Sequence, residues 1–115
     1  MKICQLLEQK PFKVLTSSAN LDTCIENIYA CDLLSQVLAK ATHKDLWITV
    51  QTHATILGIA SIKQIPCILF SEDLLPQQEV IDKADEEGII LLASKDTTYE
   101  IAGELYNILK KDGGE

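Results

Sequence analysis

Three short polar clusters hold most of the side chains that could do chemistry. They are Gln51-Thr52-His53, Ser71-Glu72-Asp73 and Ser94-Lys95-Asp96-Thr97-Thr98. Gln51 and His53 can hydrogen-bond a ligand, while Thr52 and the neighbouring amides can receive an anionic group. A helix start favours this, since it offers free N–H donors and a partial positive charge. Lys95 adds a cation, and Ser71, Ser94, Thr97 and Thr98 add hydroxyls. Each cluster also has a plainer explanation. Thr52 reads as a helix cap, with His53 exposed in the first turn. Thr97 and Glu100 have the spacing of a capping box, and Lys95 reads as a solvated loop lysine. Glu72 and Asp73 would need further oxygen ligands to hold a metal. Nothing in the spacing of Asp45 or Asp96 supplies them, so no metal site and no cofactor are expected.

Several activities are absent by motif. There is no G-x-x-x-x-G-K-[ST] run to cradle a nucleotide phosphate and no G-x-G-x-x-G dinucleotide fingerprint. No G-x-S-x-G elbow positions a serine nucleophile. The stretch Thr16-Ser17-Ser18-Ala19 lacks the acidic pair of a two-component receiver. Phosphoryl or acyl transfer by His53 with Lys95 or Asp96 is the weakest reading, because a lone histidine without a placed partner rarely defines a site. Cys4, Cys24, Cys31 and Cys67 show no C-x-x-C spacing, and two histidines complete a poor zinc set. Cys67 lies in an apolar run and reads as a small buried hydrophobe. None of the cysteines falls in the three polar clusters.

Composition sets further limits. At 115 residues the chain buries roughly two-thirds of its unfolded surface and needs no disulfide or metal staple. No signal peptide is read at its start, so a reducing, cytoplasmic protein is expected. No apolar stretch approaches the ~20 residues of a membrane span. The net charge of −7 and the scattered lysines argue against nucleic acid, whose binding needs a basic face. Aromatic residues are only 5%, so Ile, Leu, Val and Ala must fill the core.

The elements that would position these clusters follow from pattern. Residues 46–50, 67–70 and 89–93 read as strands beginning about 21 residues apart. Helices over 53–63 and 76–87 fill the gaps, and 97–109 reads as a closing helix. That spacing implies βαβ crossovers and a parallel sheet, with strands apolar on both faces. Ligands of such sheets bind beyond the strand carboxyl ends, where the three clusters fall. Pro76 is expected near the first position of its helix and Gly88 just past the end. Earlier in the chain, Ile3 to Gln9 reads as a helix, and Phe12–Leu15 and Cys24–Ala30 as strands. Asp32 reads as the N-cap of a helix whose apolar stripe is Leu33, Leu34, Val37, Leu38 and Ala41. A single domain over 1–111 is expected, with 112–115 a disordered tail.

The segments Trp47-Ile-Thr-Val-Gln-Thr-His53, Ile56-Leu-Gly-Ile-Ala-Ser61, Cys67-Ile-Leu-Phe70 and Glu87-Gly-Ile-Ile-Leu-Leu-Ala-Ser-Lys-Asp-Thr-Thr98 resemble DRTGG-domain proteins. From Ile65-Pro-Cys67 to Leu109 the chain is also similar to the N-terminal, non-kinase domain of HPr kinase/phosphorylase. The resemblance covers about residues 24 to 109. It implies an α/β fold, a three-layer α/β/α sandwich with a largely parallel sheet, serving as a regulatory or ligand-sensing part beside catalytic ones. The letters DRTGG do not occur here, so that motif's role does not carry over. The expected function is a regulatory, ligand-binding module without catalysis. Its ligand would be a small anionic metabolite or nucleotide, and the alternative is a protein–protein interaction module. A homodimer is expected, because sheet edges need cover and the first third, including Tyr29, could supply the contact.

Overall fold

The computed structural model describes residues 1–112. The first strand, β1 (Lys13–Val14), follows helix α1 (Ile3–Gln9). Then come β2 (Asn27–Ala30), α2 (Leu34–Lys40), β3 (Asp45–Thr49), α3 (Thr55–Lys63), β4 (Cys67–Phe70), α4 (Gln78–Glu87), β5 (Ile90–Ala93) and α5 (Thr98–Asp112). The five strands form one sheet in the order β1-β5-β4-β3-β2. Strands β2 to β5 are mutually parallel, and β1 joins β5 antiparallel.

The strand residues divide by parity between two cores, as a period of two requires. Trp47, Ile68, Phe70 and Leu91 meet α2, α3 and α4 through Val37, Ile56, Leu57, Ala60, Val80 and Ala84. Leu46, Ile48, Cys67, Leu69, Ile90 and Leu92 meet α1 and α5 through Ile3, Leu6, Ile101 and Leu105. The fold is the expected three-layer α/β/α sandwich with a mostly parallel sheet. The parallel strands follow one another across the sheet without reversal, so the crossover helices α2, α3 and α4 share one face.

The early part of the chain departs from the pattern reading. The strand expected over 24–30 begins only at Asn27, because Cys24 instead forms an isolated antiparallel bridge with Lys2. The Met1 ammonium donates to the Ile25 carbonyl, and the Ile25 amide donates back to Met1 (2.9 and 2.8 Å). The strand expected over 12–15 shortens to Lys13–Val14, with Phe12 buried against the α5 face. Leu33 caps α2, not Asp32, whose carboxylate is used elsewhere. Of the stripe foreseen on that helix, Val37 and Ala41 are buried, Leu34 packs at the margin, and Leu33 (65%) and Leu38 (42%) face outward.

Among the later elements, α3 starts at Thr55 and buries only Ile56, Leu57 and Ala60 fully. Pro76 stands just before the N-cap Gln77, two residues ahead of the first helical position where it was expected. Gly88 does end α4, in the left-handed conformation (φ 72°) that a Cβ disfavours. Asp112 closes α5, so the tail expected from 112 is helical at its first residue. The rest of it, 113–115, lies outside the described residues.

Trp47 is fully buried, and its indole Nε1 donates to the Cys31 carbonyl (2.8 Å), tying β3 to the exit of β2. Trp47→Ala should cost about 3–5 kcal/mol, read from denaturant unfolding followed by circular dichroism. Asp85, on α4, clips the β1 exit: its carboxylate accepts the Ser17 and Ser18 amides and both hydroxyls (2.8–3.2 Å). The Ser18 and Ser17 amides hold its pKa below the ordinary value. A depressed carboxylate pKa means stability present above the unfolded value, near 3.8, and lost as pH falls through the folded value. Asp85→Asn should therefore lower Tm at neutral pH and flatten its fall below about pH 4.

Candidate functional site at the strand carboxyl ends

The expected rim forms, but most of its polar atoms bind one another. Thr49 and Ser71, at the ends of β3 and β4, are fully buried, so their polar groups must find partners within the chain. Ser71 is fully buried, and its hydroxyl shares a 2.6 Å hydrogen bond with that of Thr98. The Ser94 hydroxyl accepts from the Asp96 amide (3.1 Å). Gln51 Nε2 donates to the Asp32 carbonyl (3.1 Å). Asp32 does not cap α2; its carboxylate accepts the Thr49 hydroxyl and the Val50 amide, both at 2.8 Å. It thereby seals the end of β3. A fourth strand end, that of β2, also joins the rim and brings Cys31 with it, so one cysteine does stand at a strand exit.

Both helix starts named from sequence are closed by their own chain. At α5, Thr97 and Glu100 form the foreseen capping box, with Glu100 Oε1 accepting the Thr97 amide and Thr97 Oγ1 accepting the Glu100 amide (3.3 and 3.2 Å). The next amide, Thr98, donates to the Glu72 carboxylate (2.8 Å). Glu72 thus fills the position an external anion would take. At α3 the cap is not Thr52. His53 Nδ1 accepts the Thr55 amide (3.3 Å), and Thr52 stands half-buried beside it.

Glu72 reaches α5 because its backbone is unusual. Ser71 to Leu74 makes a tight turn closed by the Leu74 amide on the Ser71 carbonyl (3.2 Å), with Glu72 and Asp73 both at positive φ (63° and 61°). That geometry is a type I′ turn, which ordinarily takes Asn or Gly. The strain is held by cross-bonds: the Glu72 amide donates to Asp96 and the Asp73 amide to Ser94 (2.8 and 3.1 Å). Asp96 in turn receives Lys10 Nζ (2.9 Å), which also meets Glu104 (3.0 Å). The bonds to Asp96 and Glu104 raise the Lys10 pKa.

What remains open lies in two places. Thr52, His53 and Ala54 face Leu75, Gln77, Glu79, Val80 and Lys83 across a cleft of about 630 Å³ between the starts of α3 and α4. Lys95 stands apart, exposed over a hollow of about 140 Å³ with Lys13, Asp73 and Ser94. The eight residues selected from sequence therefore do not converge. Thr52 and His53 share the cleft; Ser71 and Thr98 knit β4 to α5, while Thr97 caps α5; Lys95 and Ser94 border the hollow. Gln77, Glu79 and Lys83 were missed, because they sit on a helix whose approach to α3 no local pattern reveals. Among the described residues no group of three His, Cys, Asp or Glu side chains is placed to hold a metal ion. Burial pushes the Cys67 thiol pKa up, leaving it an inert part of the core.

Residues 51–109 match the family model described as HPr serine kinase N terminus, just over half of the chain. The chain belongs to that family. The match runs from the loop before α3 to near the end of α5, and it contains the cleft and the self-capped α5 start. The family named is that of the HPr kinase N terminus; the DRTGG designation gains nothing from it. No curated protein matches the chain.

The capping arrangement is directly testable. Glu72→Ala should destabilise by about 0.5–2 kcal/mol in urea unfolding, with Glu72→Gln recovering part, as for loss and partial repair of a helix cap. Phosphate should then raise the Tm of Glu72→Ala more than that of the wild type, because the Thr98 amide becomes available to an external anion.

Proposed function

We propose that the chain is a cytoplasmic, non-catalytic regulatory module that senses a small metabolite bearing a phosphate or similar anionic group. The cleft between α3 and α4 carries this reading. Its volume, about 630 Å³, is that of a small-molecule site. Its wall mixes Leu75 and Val80 with the Lys83 ammonium, the His53 imidazole and the Thr52 hydroxyl. Lys83 and Thr52 would receive the anionic group, and Gln77 with Glu79 would select among polar substituents. The earlier seat at Lys95, Thr97 and Thr98 is less suited, since Glu72 and Glu100 already occupy those amides.

The absence of a phosphate-binding loop in the sequence and the membership of a family named for a kinase's N terminus support a role without catalysis. No helix among the described residues is long and apolar enough to cross a membrane. A second reading, a protein-interaction module needing no small ligand, is favoured by Tyr99 and Tyr106, which stand 88% and 63% exposed on α5.

Adenine nucleotides, sugar phosphates and inorganic phosphate, screened by thermal shift, test the first reading. A ligand at a hundred times its Kd should add about 2.7 kcal/mol of stability. Lys83→Ala and Thr52→Val should abolish that gain, while Lys95→Ala should not. Absence of any stabilisation by these compounds far above cellular concentrations would remove the proposal.

A further inference from the structure

The two edges of the sheet are protected very differently. At one edge β1 is only two residues long, contains Lys13 and follows Pro11, which are the usual guards against edge-to-edge pairing. At the other edge β2 has none of these. The Asn27 amide donates to Lys44 and the Cys31 amide to Ile48 (both 3.2 Å), so alternate residues of β2 turn toward β3. Ile28 and Ala30 lie between them in the alternation, and their N–H and C=O groups point away from the sheet. Beside this edge runs a groove of about 450 Å³ floored by Ile28, Ala102, Tyr106 and Leu109.

We infer that β2 and the outer face of α5 form a two-fold interface with a second copy of this chain, the two β2 strands pairing antiparallel and joining both sheets into one. Three features select a second copy. First, the edge is self-complementary: about a two-fold at Tyr29, Ile28 meets Ala30 of the partner and Ala30 meets Ile28 of the partner, satisfying all four outward groups on each side. Second, the helices fit. Helix α5 packs over β2 and β3, and strands are about 4.8 Å apart, so the two α5 helices would lie about 10 Å apart, an ordinary helix–helix distance. The small Ala102 then faces the bulky Tyr106 of the other copy. Third, the charges match. Helix α5 has Glu100 in its first turn and Lys110 and Lys111 in its last, so antiparallel α5 helices set acidic ends against basic ends. Glu26, at the entry of β2, already has Lys44 as its ion-pair partner (3.1 Å), so it brings no unmatched carboxylate to the seam. The interface shares no residue with the α3–α4 cleft.

Sedimentation equilibrium of the 115-residue chain over a wide concentration range should show a species of twice the 12.7 kDa protomer. Tyr106→Glu and Ala30→Pro, which removes an outward N–H without touching the β2–β3 ladder, should each weaken association about tenfold or more. Lys110→Glu with Lys111→Glu should weaken it as well, and adding Glu100→Lys should restore it. Should a variant lose its fold, hydrogen exchange on the unaltered chain decides: the Ile28 and Ala30 amides should gain protection as concentration rises. A chain that stays monomeric, or a dimer in which those two amides remain unprotected, would overturn the inference.

Discussion

Strands β3, β4 and β5 are covered on both faces, and this burial governs what their carboxyl ends can do. Thr49 and Ser71, fully buried where β3 and β4 end, cannot turn to water, so a side chain or a neighbouring loop must meet their polar groups. Asp32 meets the end of β3, and Ser71 with Glu72 carries the end of β4 across to α5. The polar residues that a parallel sheet gathers at its rim are thus first of all the fasteners of the sheet. Where two helix starts stand apart, at α3 and α4, the rim leaves much more room than in the hollow beside Lys95. The absence of a strand reversal among β2 to β5 has the same effect, because a reversal is what opens a deep crevice in other parallel sheets.

This explains how much of the molecule the sequence revealed. The second half was legible because each strand is a short apolar run, each helix is bounded by local chemistry, and consecutive strands pair. Gly88 and the Thr97–Glu100 box work at a range of three or four residues and were read correctly. The first third was not legible, because its partners are distant: β1 pairs with β5, and Cys24 bridges Lys2. The same distance hid the site's real arrangement. Nothing near Glu72 announces that it caps a helix 26 residues later. Thr98 and Ser71 were selected for their hydroxyls, yet those hydroxyls bind each other. Thr52 and His53, expected at a helix start, lie in the open cleft, though the N-cap is Ala54 and it is His53, not Thr52, that accepts an amide of α3.

The turn at Glu72 and Asp73 joins these themes. Two adjacent non-glycine residues at positive φ are costly, at about 1–3 kcal/mol each. The cost is offset by bonds to Ser94 and Asp96, and Asp96 is held in turn by Lys10 from the far end of the chain. The start of α5 is therefore positioned by β4, β5 and the residue just after α1 together. Displacing one of them should be felt by the others, which is what a sensing domain would need if occupancy near Leu75 is to reach α5.

The placement of β1 also bears on how the chain is made. The strands from β2 to β5 are laid down in spatial order, so each can pair with its predecessor as it leaves the ribosome. β1 cannot. Thr16 closes onto the Leu91 amide 75 residues later, and at roughly 5–20 residues per second that partner emerges about 4–15 s afterwards. During that interval β1 has no strand to pair with. Of the five strands, β1 is the one that waits longest for its neighbour, and it locks onto the sheet only when β5 is in place.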